Sequence, residues 1–244
     1  MRLVAMDTSS SWLSVAVADD TTVLASLNEQ TNLQHGTVLI PRIQQLLSEH
    51  SISLDSIEGL VVGMGPGSYT GLRIGVTAAK MWAISKSLPL YEVSSLALMA
   101  ASISNPKVDA AIIPLMDARR LSAYIGYYHY AQGKLVAVEP DCHQDWQEWV
   151  VTHHSVLEQY QTIYLVGEAI EPFADILREQ LSQVEIVVQM AYPKTDVALE
   201  LIQEPVADVH VLAPNYTQVT LAEREWAEKK EQLHDDEMVQ TTVQ

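Results

Sequence analysis

Apolar and polar positions in the first hundred residues alternate between strand and helix rhythms. Residues 2–6 form a short apolar run that predicts a strand, and Asp7-Thr8-Ser9-Ser10-Ser11 reads as a polar turn. Leu13 to Val17 predicts a second strand, Asp19-Asp20 its turn and residues 23–27 a third, which makes a hairpin. Leu39, Ile43, Leu46 and Leu47 recur at helical spacing and predict a helix over 37–50 with Pro41 inside it. A strand at 57–62, a helix at 69–87, a strand at 89–93 and a helix at 95–103 follow.

The rhythm restarts near Asp109. Residues 110–116 predict a strand containing Pro114, residues 123–130 a tyrosine-rich strand, and residues 135–138 its continuation. A helix is expected at 146–160, a strand at 162–166, a helix at 170–181, a strand at 185–188 and a helix at 196–204. Two successive sets of strands and helices imply two related α/β lobes, residues 1–100 and 101–218, with the boundary near 95–108. Residues 220–234 predict a charged helix and residues 235–244 a frayed tail, so 219–244 form a third segment.

Between the strand at 57–62 and the helix at 69–87 runs Gly63-Met64-Gly65-Pro66-Gly67-Ser68-Tyr69-Thr70-Gly71-Leu72-Arg73-Ile74-Gly75. Ser68 and Thr70 are natural N-caps, and a helix N-terminus behind a glycine turn is a place where an anion can sit. The run is not a Walker P-loop, because no lysine follows until Lys80. It reads either as a phosphate site or as a tight packing turn. Gly71, Gly75 and Ala79 recur every four residues, a small-residue face that lets another helix, or the protein's own sheet, come close.

The charge narrows the choice of partners. The chain has 31 acidic and 14 basic residues, a net charge of −17. A broad nucleic-acid surface needs clustered Lys and Arg, so the charge argues against one, and any RNA contact would come mainly through a partner. No apolar run approaches the roughly 20 residues of a membrane span, and Asp7 with the serines after it is unlike a signal peptide. The single Cys142 excludes an internal disulfide framework and any CxxC zinc pattern. A cytoplasmic location is expected.

GMGPGSYTGLRIGVTAAK, residues 63–80, resembles the signature of the bacterial TsaB family, also called YeaZ. Leu3 to Ser9, Gln34-His35 ahead of the Pro41 helix, Met116-Asp117-Ala118-Arg119-Arg120, and Pro214-Asn215-Tyr216 with Ala222-Glu223-Arg224 match in order, so the resemblance spans about residues 1–226. It implies a two-lobed α/β actin-like ATPase fold and a non-catalytic paralogue of the TsaD-type transferase, which makes threonylcarbamoyladenosine at adenosine 37 of tRNA. The implied partners are that transferase, bound through the N-terminal-lobe helices, and a TsaE-type ATPase. When alone the chain would form a homodimer; tRNA would be engaged indirectly and no membrane is involved. Candidate interface residues are Leu39, Ile43, Leu46, Gly71, Arg73, Gly75, Thr77, Ala79 and Lys80, with Met81 beside them.

In actin-like ATPases the turn corresponding to Asp7, Thr8 and Ser9 binds phosphate and helps hold magnesium, so these three are the candidate nucleotide residues. The expected second phosphate turn, residues 164–169, carries Glu168, which would repel a phosphate. No cofactor is therefore expected to be required by this subunit, with ATP or ADP at or near the complex interface. The catalytic relatives place two histidines at HxxxH spacing. Here His35 is followed four residues on by Leu39, and His153-His154 point apart, so neither a metal site nor a catalytic residue is expected. Ser68 lacks the Gly-x-Ser-x-Gly setting of a hydrolase, and Cys142 reads as a structural thiol. The alternative reading is a stand-alone actin-like ATPase or small-molecule kinase, which predicts ATP binding that Asp7→Ala abolishes.

Overall fold

A computed structural model describes residues 1–31 and 34–217. The first apolar runs become an antiparallel meander of β1 (Arg2–Asp7), β2 (Trp12–Asp19) and β3 (Thr22–Gln30). Two strands, β4 (Gly59–Gly63) and β5 (Leu90–Val93), join in parallel to give the order β3-β2-β1-β4-β5. Strands β1 and β4 are apolar on both faces because both faces are covered. On one side α1 (His35–Glu49) and α2 (Tyr69–Lys86) set Leu39, Ile43, Leu46, Val76 and Ala79 against Val4, Met6 and Val15. Each large aliphatic side chain so buried contributes about 1.5–3 kcal/mol. Ser68 caps α2 by accepting the Gly71 N–H at 3.2 Å, while Thr70 lies within the first turn.

The second lobe repeats the plan. Strands β6 (Ala111–Asp117), β7 (Ser122–Ala131) and β8 (Lys134–Asp145) form a meander. Strands β9 (Thr162–Gly167) and β10 (Glu185–Met190) add in parallel, giving β10-β9-β6-β7-β8. Helices α4 (Trp146–Leu157) and α5 (Glu171–Gln180) cover one face around Trp146, Trp149 and Phe173. This is the two-lobed actin-like α/β architecture that the resemblance implies. Pro114 sits in the central strand β6, where a proline removes a ladder donor. The β6–β7 ladder skips it, and Gly126 opposite leaves room for its ring.

Several expected boundaries move. Strand β8 runs on to Asp145 rather than stopping at 138, and α4 ends at Leu157. The expected helix at 196–204 is a 3-10 turn over Thr195–Glu200. The simple division at residue 100 gives way to a crossover. Helix α3 (Ser95–Ala101) packs Leu96, Met99 and Ala100 on Ile112 and Val166 of the second sheet. In return, Ala198 and Val197 of the 3-10 turn pack on Leu3, Ala5 and Val61 of the first. The chain beyond runs back along the first lobe, with the Val206 N–H donated to the Leu90 carbonyl and the Asn215 N–H to that of Met64, both at 2.8 Å. The charged helix and tail expected over 219–244 lie outside the described residues.

Candidate functional site

Strand β1 delivers Asp7 into the interior of its lobe. Its carboxylate is 1% exposed and accepts the Ser9 N–H at 2.8 Å, the Ser9 hydroxyl at 2.7 Å and the Ser95 hydroxyl at 2.6 Å. Burial raises its carboxyl above the usual carboxylate range, and the serine hydrogen bonds pull it part of the way back. Thr8 donates its hydroxyl to the Gly71 carbonyl at 2.7 Å, and the Ser9 carbonyl accepts the Ser68 N–H at 2.6 Å. The Asp7 carboxylate is thus occupied by Ser9 and by Ser95 at the start of α3, and Thr8 is tied to α2. Of Asp7, Thr8 and Ser9, it is Ser9 that borders the cleft between the lobes.

That cleft has a volume of about 530 Å³ and is bridged by side chains from both lobes. Ser11 donates its hydroxyl to Glu168 at 3.1 Å, and Trp12 stacks flat on Tyr192 with ring centroids 3.9 Å apart. Nearby, the Thr195 N–H is donated to the Ser14 hydroxyl at 2.8 Å. A phosphate entering between the two turns would meet the Glu168 carboxylate. Two like charges about 4 Å apart repel by roughly 4 kcal/mol at the effective dielectric of a protein surface.

The histidines serve as struts. His35 is buried; its Nε2–H donates to the Ser10 carbonyl at 2.8 Å and its Nδ1 meets the Thr31 hydroxyl at 3.0 Å. His153 faces Glu139 at 3.0 Å, whereas His154 faces the Gln180 carbonyl at 3.0 Å. Among the described residues no three His, Cys, Asp or Glu side chains converge on a possible metal position. A second polar cluster lies beside a larger inter-lobe cavity of about 780 Å³. There Asp141 accepts hydrogen bonds from Ser94 and Tyr128, and burial pushes its carboxyl up.

The candidate interface residues separate into two groups. Leu39, Ile43, Leu46 and Ala79 are core side chains of the first lobe. A Cβ on Gly71 would come within 2.0 Å of the Thr8 carbonyl oxygen, and one on Gly75 within 2.4 Å of Thr8 Oγ1. At Gly71 and Gly75 the small-residue stripe therefore lets α2 approach the β1–β2 turn of its own lobe. Lys80 is held by the His210 and Leu212 carbonyls at 3.0 and 2.6 Å. Arg73, Thr77 and Met81 stand on the surface. Ile40, Ile84 and Tyr69 join Met81 as exposed apolar side chains of α1 and α2. The helices meet where Ile74 Cδ1 lies 3.6 Å from the position of a Gly36 Cβ.

Comparison with known proteins decides the family. A family model described as TsaD, tRNA N6-adenosine threonylcarbamoyltransferase, matches residues 27–226. The tRNA threonylcarbamoyladenosine biosynthesis protein TsaB of Bacillus subtilis is 31% identical over 233 residues, 94% of this chain and 100% of that protein. The chain belongs to the TsaB family. TsaB of Escherichia coli is 35% identical over 128 residues, 52% of this chain and 55% of that protein. YeaZ from Pseudomonas aeruginosa shares the fold, with a TM-score of 0.71 at 22% identity over 88% of this chain and 99% of that one. No helix among the described residues is long and apolar enough to cross a membrane.

Three features of this TsaB-family chain escape sequence reasoning. The Trp12–Tyr192 stack and the Ser11–Glu168 bridge join residues far apart in sequence, and no local signal marks them. The Arg119-Arg120 turn has no local sequence pattern that marks its backbone. In the structure Arg119, Arg120 and Leu121 all have positive φ, with the Arg119 N–H fixed by the Asp117 carboxylate at 2.7 Å.

Proposed function

We propose that this chain is a non-catalytic partner subunit in the synthesis of threonylcarbamoyladenosine on tRNA. It binds and activates a TsaD-type transferase through the outer face of α1 and α2, in a complex that includes a TsaE-type ATPase. The observation that carries this reading is the apolar surface of those helices: Met81 is 63% and Ile40 48% exposed, with Ile84 exposed as well. Single exposed apolar residues are ordinary, but several on one two-helix face are typical of an association surface. The same face suits a homodimer when the transferase is absent. The net charge of −17 favours encounter with a basic partner. The subunit itself needs no nucleotide, and ATP or ADP is assigned to the interface with the partners. A stand-alone ATPase has less support, since Asp7 is engaged internally and Glu168 occupies the second turn.

The test is light scattering coupled to size exclusion on the chain alone and mixed with the same organism's TsaD protein. The double substitution Ile40→Asp with Met81→Asp is expected to abolish the heterodimer and leave the circular-dichroism melt unchanged. A complex that persists in this variant, or wild type that forms none under any nucleotide condition, overturns the reading. Gly75→Trp would not serve, because position 75 is interior.

A further inference from the structure

Positive charge is unevenly placed on this acidic chain. Arg2, Arg42, Lys86, Lys107 and Arg178 are ion-paired, and Lys80 is taken up by backbone carbonyls. Five lysines and arginines are left among the described residues: Arg119 lines the inter-lobe cleft, Arg73 and Lys194 each lie over a tyrosine that lines it, Arg120 is next to Arg119 in the chain, and the fifth is Lys134. The Arg73 guanidinium lies 4.8 Å over the ring of Tyr69, and the Lys194 ammonium lies 5.2 Å over Tyr192. Both tyrosines line the cleft. None of the four cations has a carboxylate partner among the described residues.

Cations along a cleft edge are the means by which proteins follow the backbone of single-stranded nucleic acid; the Tyr192 and Tyr69 rings already pack on Trp12 and Tyr216 and serve to hold the cations in place. The space between the turns is unsuited to a sunken triphosphate, because Glu168 spans it to Ser11. Phosphates can instead cross outside, along the edge, where Ser68 and the N-terminus of α2 also face the cleft. We infer that this edge binds the phosphodiester backbone of a single-stranded loop of tRNA. The inference rests on the proposed role in tRNA modification, and it replaces a wholly indirect engagement of tRNA with a small direct contact. Four phosphate contacts on a single strand give a slope of roughly −3 in log K against log salt.

The experiment measures binding of an unmodified tRNA transcript at several salt concentrations, to the chain alone and to its complex with the transferase. Wild type is compared with Arg119→Gln/Arg120→Gln, with Lys194→Gln, and with Arg178→Gln on α5 as the control. Light scattering on the same samples reports whether the protein complex forms, and circular dichroism whether each variant is folded. The double variant is expected to bind about tenfold more weakly at low salt and to lose between one and two units of slope. Lys194→Gln should lose a smaller part, and Arg178→Gln should bind as wild type. Unchanged affinity and slope in the edge variants overturn the inference. So does an absence of salt-dependent tRNA binding by wild type alone and in the complex. Edge-dependent binding of free ATP without tRNA binding also overturns it. A protein complex that forms normally in those cases leaves the partner-subunit reading standing. Edge-dependent tRNA binding by a chain that never pairs with the transferase supports the edge and removes that reading.

Discussion

Asp7 discriminates most sharply between a structural and a nucleotide-binding role for the first turn. Asp7→Ala removes the acceptor for three hydrogen bonds, from the Ser9 N–H, the Ser9 hydroxyl and the Ser95 hydroxyl. A buried donor left unsatisfied costs about 1–3 kcal/mol. Relief of the buried carboxylate's desolvation offsets part of this, so the net loss is about 3 kcal/mol. At about 2–4 °C per kcal/mol for a protein of this size, the melting temperature falls by about 6–12 °C. Asp7→Asn keeps an acceptor toward Ser9 and drops the charge, so at pH 7 it should melt within about 2 °C of wild type or above it. The pH dependence fixes the sign. The carboxyl is raised in the folded state by burial, so its contribution to stability is full below the ordinary value of 3.8 and is lost as pH rises through the folded value. Asp7→Asn should flatten that decline. Melts of the three proteins from pH 4 to 8 by circular dichroism provide the readout. If Asp7→Ala melts with wild type, or Asp7→Asn falls as far as Asp7→Ala, the carboxylate is not the internal acceptor described above.

Two further outcomes follow from packing and burial. Gly71→Ala would drive a methyl group to 2.0 Å from the rigid Thr8 carbonyl, so it should cost about 2–4 kcal/mol, whereas Thr77→Ala on the exposed side of α2 should cost less than about 0.5; urea melts of the two variants check this. Burial pushes the Cys142 thiol up to about 11 from its ordinary 9.0, which cuts its thiolate fraction at pH 8 about 100-fold, and iodoacetamide labelling followed by mass spectrometry should be slower in the native protein by about that factor than in urea.

The order of strands and helices was legible because each apolar run is bounded by turn chemistry. Asp7-Thr8-Ser9 ends β1, Asp19-Asp20 turns the meander, and Ser68 caps α2. The second half of β8, Glu139 to Asp145, was not legible, because an edge strand with mostly polar residues takes its register from β7 rather than from its own pattern. The direction of a side chain was equally hidden. A turn aspartate reads the same whether it faces a cleft or a core, and the serine that turns Asp7 inward lies 88 residues away in the chain.

Helix faces separate core periodicity from the surface that the proposed interface would use. Helical spacing picks out Leu39, Ile43 and Leu46 on α1, but periodic apolar positions are those that bury against the helix's own lobe, as these do. Small residues at four-residue spacing report only that something comes close, and for Gly71 and Gly75 it is Thr8. The residues left over for a partner are the apolar ones that break the period. Ile40 stands one position after buried Leu39, Met81 two after buried Ala79, and Ile84 one after buried Ala83. They add nothing to the core, and under the proposed function they are the side chains whose burial the partner would gain.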